Sequence, residues 1–76
     1  MIQEHDSIVL TQDLPDEGLQ GGDLGTVVHI HREGAAYEVE FMTLDGGTLA
    51  IETLEARQVR EAGSCDVPHV RERIAA

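Results

Sequence analysis

Apolar and polar residues alternate along most of this chain with a period of two, the spacing of a strand with one buried face. Ser7-Ile8-Val9-Leu10 predicts a short first strand. Asp13-Leu14-Pro15-Asp16-Glu17-Gly18 then gathers turn formers, and Gly21-Gly22 follows, so a long loop is expected from Leu14 to Leu24. Gly25 to His31 predicts the second strand, and Glu33-Gly34-Ala35-Ala36 a turn. Tyr37-Glu38-Val39-Glu40-Phe41 alternates most cleanly and predicts the third. Asp45-Gly46-Gly47 reads as a tight hairpin turn into a fourth strand, Thr48 to Thr53. Leu54 to Gln58 fits one helical turn, and Val59-Arg60-Glu61 a short closing strand.

Five short antiparallel strands make an all-β fold, and closure into a small barrel would remove the exposed sheet edges. The long loop after the first strand falls where SH3-like barrels carry theirs, so a five-stranded SH3-like barrel is expected over residues 1–62. Burying one face pairs Ile30 with Val39 and Val28 with Phe41, which sets His31 opposite Glu38 and His29 opposite Glu40 on the outer face. The expected core is Ile8, Leu10, Val28, Ile30, Val39, Phe41, Leu49 and Ile51. Residues 63–76 form a separate tail, either flexible or a short helix. The helix would be capped by Asp66 with Pro68 in its first turn, carry Val67, Val70 and Ile74 on one stripe, and place Arg71 and Arg73 in its last turn.

Composition narrows the function. The chain has 76 residues, 15 Asp and Glu, five Arg, no Lys, and a net charge of −10. The first 56 residues carry −11 and the last 20 carry +1, so the acidity belongs to the expected barrel. A body of that sign repels phosphate, which argues against nucleic acid and anionic membrane as partners. The acidic N-terminus does not fit a secretory signal, and no apolar run approaches the ~20 residues of a membrane span. A soluble, cytoplasmic protein is expected. One cysteine cannot make an internal disulfide, and a domain this small holds only about 3–5 kcal/mol in its core.

Candidate chemistry is sparse. His29 and His31 share a strand face near Glu38 and Glu40, a donor set that suits zinc or copper. Solvated histidine–glutamate pairs are the simpler reading, because a closed set of four ligands is missing. Cys65 and His69 have helical i, i+4 spacing but no orienting group for nucleophilic catalysis. Asp13, Asp16, Glu17 and Asp23 lack the spacing of a calcium loop and read as a charged surface for a basic partner.

Four segments resemble a known bacterial family. Asp6 to Leu10, Asp13 to Leu19, Gly22 to Val28 and Tyr37 to Phe41 are similar, in order, to domain of unknown function 4926. The resemblance covers Asp6 to Arg60 and implies an SH3-like barrel among toxin–antitoxin-like genes, with no catalytic residues to carry over. Gly22 to Val28 is also similar to the loop-and-strand signature of KOW modules, but those touch RNA through basic residues and this neighbourhood is acidic.

These readings converge on a non-catalytic, cofactor-free interaction module, an accessory, antitoxin-like or immunity-like subunit for a larger protein with a basic surface. A homodimer is the alternative arrangement, in which a second copy supplies the burial so small a core lacks. Asp13, Asp16, Glu17, Leu19 and Tyr37 are the expected partner contacts, with metal binding at His29 and His31 as the alternative. An enzyme is disfavoured, since so short a chain is not expected to enclose the ~300 Å³ of a substrate pocket.

Overall fold

A computed structural model describes residues 1–72 of the chain. Five antiparallel strands form one sheet: β1 (Ser7–Leu10), β2 (Leu24–His31), β3 (Ala36–Met42), β4 (Thr48–Glu55) and β5 (Val59–Glu61). Their spatial order is β4-β3-β2-β1-β5. β2, β3 and β4 form a meander, while β5 returns across the fold to pair with β1 through Ile8–Glu61, Val9–Arg60 and Leu10–Val59. Single 3-10 turns occupy Pro15–Glu17, Arg32–Gly34 and Ala56–Gln58.

The buried apolar residues share one face of the sheet, and among the described residues no helix longer than a 3-10 turn and no second sheet covers it. Ile8, Leu10, Val27, Tyr37, Val39, Phe41, Leu54 and Val59 nevertheless form one buried cluster drawn from all five strands, joined by Leu19 from the first loop. A sheet achieves this only by curling around its own inner face.

The inner face differs from the expected one because of two irregularities. The register runs Gly25–Phe41, Thr26–Glu40, Val27–Val39, then His29–Glu38, Ile30–Tyr37 and His31–Ala36. Val28 is therefore an extra residue, a bulge that exchanges the two faces of β2 beyond it. The expected pairings of Ile30 with Val39 and Val28 with Phe41 are corrected accordingly. Val27 takes the core position expected for Val28, which is only half-buried, and Ile30 packs at the cluster's margin. A second shift, between Phe41 and Met42, leaves Leu49 outside the ladder. Ala50, Glu52 and Leu54 then share inward parity, and Ile51, expected in the core, stands outside opposite Glu40, 54% exposed. Glu38 and Glu40 point away from the core, as the alternation of β3 requires.

The β2–β3 hairpin turns through three successive positive φ values: Arg32 at 50°, Glu33 at 57° and Gly34 at 104°. Two of these residues carry a Cβ that the left-handed conformation disfavours. The double substitution Arg32→Asn/Glu33→Gly is expected to stabilise the protein by about 1 kcal/mol, since Asn-Gly suits this geometry. Urea unfolding measures it, and a lowered midpoint would contradict the assignment.

The tail beyond β5 is not a helix in its described part. Asp66 does not cap one. It closes a turn, accepting from the Gly63 N–H at 2.6 Å, and pairs with both outer nitrogens of Arg60 at 2.8 and 3.0 Å. The Arg60 hydrogen bonds, with that of Gly63, pull the Asp66 carboxyl down to about 2. Arg73 and Ile74, assigned to the expected helix, lie outside the described residues.

Candidate functional site

The first loop is a structured arm. Leu14 and Leu19 pair across it, with their N–H groups donating to each other's carbonyls at 2.9 and 3.1 Å. Pro15–Glu17 makes a 3-10 turn between them, which Gly18 ends at a φ of 72°. Leu19 enters the core at 1% exposure and anchors the arm. At the base, the Leu10 N–H donates to the Asp23 carbonyl at 2.9 Å and the Gly22 N–H to the Leu10 carbonyl at 2.7 Å. Asp13 and Asp23 brace the turn by accepting from the Gly21 and Gln20 N–H groups, each at 2.8 Å.

Asp23 has a second partner from the far end of the chain. Arg71 Nε donates to Asp23 Oδ1 at 2.9 Å and Nη2 to Oδ2 at 2.6 Å. Nη2 also reaches the Gly18 carbonyl at 3.0 Å. The ion pair is partly shielded, its side chains 28% and 18% exposed. Burial by itself would raise the Asp23 carboxyl, but the Arg71 hydrogen bonds, the Gln20 amide and the Arg71 charge outweigh it and hold Asp23 below its usual value. The stabilisation this provides is present above the ordinary carboxylate range and fades as pH falls through the lowered value.

This clasp draws residues 68–71 over the sheet and leaves an open cleft of about 670 Å³ beneath them. The tail, folded back, supplies the second wall. Leu24, Met42, Leu44 and Leu49 line the cleft floor, with Glu40 at its side. Leu24, Met42 and Leu44 are 57%, 50% and 94% exposed. The β3–β4 turn that carries Leu44 is firm: Thr43 accepts at its carbonyl from Gly46, its N–H donates to Gly47, and its hydroxyl bonds Asp45.

The residues expected to meet a partner separate into two groups. Asp13, Asp16 and Glu17 are exposed on the arm and border a second hollow beside Arg71. Leu19 and Tyr37 are corrected: both side chains are buried, at 1% and 6%, and act as core. Leu24, Met42 and Leu44 take their place as accessible apolar groups. Their sequence signal is parity: Gly25 is the small inward residue of β2, so Leu24 beside it must face outward.

His29 and His31 lie edge to face, with ring centroids 4.5 Å apart. His29 sits across from Glu38 instead of Glu40, and His31 across from Ala36. Their carboxylate neighbours are Glu4, 3.7 Å from His29 Nδ1, and Glu38, 3.6 Å from His31 Nε2. Among the described residues no group of three or more His, Cys, Asp or Glu is arranged to hold a metal ion. Cys65 is exposed on a segment without the helix that would set His69 one turn away.

The least expected acidic contact lies elsewhere. Glu52, on the inward parity of β4 between Ala50 and Leu54, meets Glu17 of the arm. Burial, then the Glu17 charge and their hydrogen bond, push the Glu52 carboxyl above its ordinary 4.5. A carboxyl raised in this way binds its proton more readily folded than unfolded. Stability should therefore rise as pH falls from neutrality towards the ordinary value, and decline as pH climbs through that window. Glu52→Gln is expected to gain about 0.5 kcal/mol at neutral pH and to flatten this dependence. Thermal unfolding across the range tests it; equal slopes in both proteins would refute the pairing.

No helix among the described residues is long and apolar enough to cross a membrane. No curated protein matches the chain, and no solved structure does. Residues 4–61, which span the arm, all five strands and the cleft floor, match the family described as Domain of unknown function (DUF4926). The chain therefore belongs to the DUF4926 family.

Proposed function

We propose that this protein is a non-catalytic interaction module, a small acidic SH3-like barrel that serves as an accessory subunit of a larger protein with a basic surface. The strand order, the long arm after β1 and the single curled sheet support the SH3-like reading. The observation that carries the function is the grouping of Leu24, Met42 and Leu44, all exposed, around an open cleft on an acidic body. Exposed apolar side chains rimmed by polar groups mark interaction sites. Opposite charge on the partner would speed encounter and select among competitors. An antitoxin-like or immunity-like role is one form of this reading, in which the larger partner is the inhibited protein.

Affinity capture from the native host tests it. The wild-type chain should retain one stoichiometric partner, and the double substitution Met42→Glu/Leu44→Glu should release it without loss of folding. Retention of the same partner by the substituted chain would move the interface elsewhere, and the absence of any partner would end the proposal.

A further inference from the structure

Resting on the interaction reading above, we propose that the Asp23 carboxylate and the Gly18 carbonyl form an arginine-recognition subsite, occupied in cis by Arg71, and that the partner docks by an extended segment whose arginine replaces Arg71 while its neighbouring apolar side chain enters the cleft. The chain's own tail shows what the subsite accepts. Arg71 meets Asp23 with two parallel hydrogen bonds, Nε to Oδ1 at 2.9 Å and Nη2 to Oδ2 at 2.6 Å, and gives a third to the Gly18 carbonyl at 3.0 Å. This fork suits arginine, whose planar guanidinium presents two parallel N–H donors from separate nitrogens, an arrangement an ammonium lacks. Asp23 is also held by groups other than Arg71: its carboxylate accepts from the Gln20 N–H at 2.8 Å, and its backbone carbonyl from the Leu10 N–H at 2.9 Å.

The rest of the tail is poorly seated. Val67 and Val70 are 86% and 72% exposed, while Arg71 is only 28% exposed. The strap is thus held at its guanidinium, and its apolar residues leave the floor of Leu24, Met42, Leu44 and Leu49 uncovered. An incoming segment that fills this floor gains apolar contact that the cis tail does not make, and so can displace it. Charge favours the exchange. Residues 1–56 carry −11, and Asp13, Asp16 and Glu17 stand exposed beside the subsite.

The test uses the full-length chain and a fluorescently labelled peptide with the sequence of residues 64–72 as probe, read by anisotropy. Arg71→Ala should bind the probe about tenfold or more tightly than wild type, whose own tail competes. Asp23→Asn added to Arg71→Ala should abolish that gain, and a probe carrying lysine at its arginine position should bind about tenfold more weakly. A chain with Arg71→Lys keeps the positive charge and should show an intermediate opening. Equal binding by wild type and Arg71→Ala, or insensitivity to Asp23→Asn in proteins with native circular dichroism, would overturn the subsite. A wild-type dimer in sedimentation that Arg71→Ala dissolves would give the cleft to a second copy's tail and overturn the docking of a different protein. Capture of the host partner equally by Arg71→Ala and by Arg71→Ala/Asp23→Asn would discard the subsite while leaving the interaction module standing.

Discussion

Phe41→Ala is expected to leave the chain largely unfolded at 25 °C. Phe41 is the single phenylalanine, 1% exposed, at the inner face of β3. Truncating a buried phenylalanine costs about 3–5 kcal/mol. A domain this small holds roughly that much in total, with no disulfide to narrow the unfolded ensemble. The cavity has little prospect of collapsing, because the ring lies against Gly25 and there is no side chain there to move inward. Phe41→Leu keeps most of the volume and should cost about 1.5 kcal/mol or less. Urea titrations followed by circular dichroism distinguish the two. A cooperative transition for Phe41→Ala near the wild-type midpoint would show that the core is organised around other residues.

Gly25→Ala should be the second most damaging change, by about 1–3 kcal/mol. Gly25 sits in β2 directly opposite Phe41. A Cβ there would stand 2.5 Å from Val39 Cγ1 and 2.9 Å from Phe41 Cε1, inside van der Waals contact with both. The glycine is required for room, not for conformation. Gly22, three residues earlier, is the reverse case: it has a φ of 98° and open space around it. Adding Val39→Ala removes the nearer obstruction, so the double variant Gly25→Ala/Val39→Ala should lose less than the two single losses together, by more than about 0.5 kcal/mol. Strict additivity would mean that the alanine is accommodated by movement of the backbone instead.

The strands were legible in the sequence because their faces differ in polarity. β1 and β5 were placed at their observed limits, and β2, β3 and β4 within one or two residues at either end. Which face of β2 or β4 is buried was less legible, because a bulge leaves no mark on composition. Val27-Val28 offers two equivalent residues for one inward place, and only the pairing with β3 decides between them. Ile51 fails for the same reason, displaced by the extra Leu49. Leu19 was hidden among turn formers, where a solitary leucine carries no periodic signal. At the site, the exposed acids of the arm could be read directly from charge. The Asp23–Arg71 clasp could not, since it joins residues 48 apart in an acidic body and a basic tail. The contrast in charge between the two was the only hint.

The sheet order also bears on when the protein can form. The β2–β3–β4 meander pairs strands adjacent in sequence, so it can assemble while the chain is still lengthening. β1 is made first, yet one of its edges stays bare until β5 arrives, because Ile8 pairs with Glu61 and Leu10 with Val59. Leu54 and Val59 complete the buried cluster from the far side of the same closure. On a ribosome the sheet should therefore remain incomplete, with Ile8 and Leu10 incompletely covered, until β5 has left the exit tunnel. Arg71 follows β5 in the chain, so the clasp forms after that closure, and the proposed arginine subsite passes through an interval in which it is open.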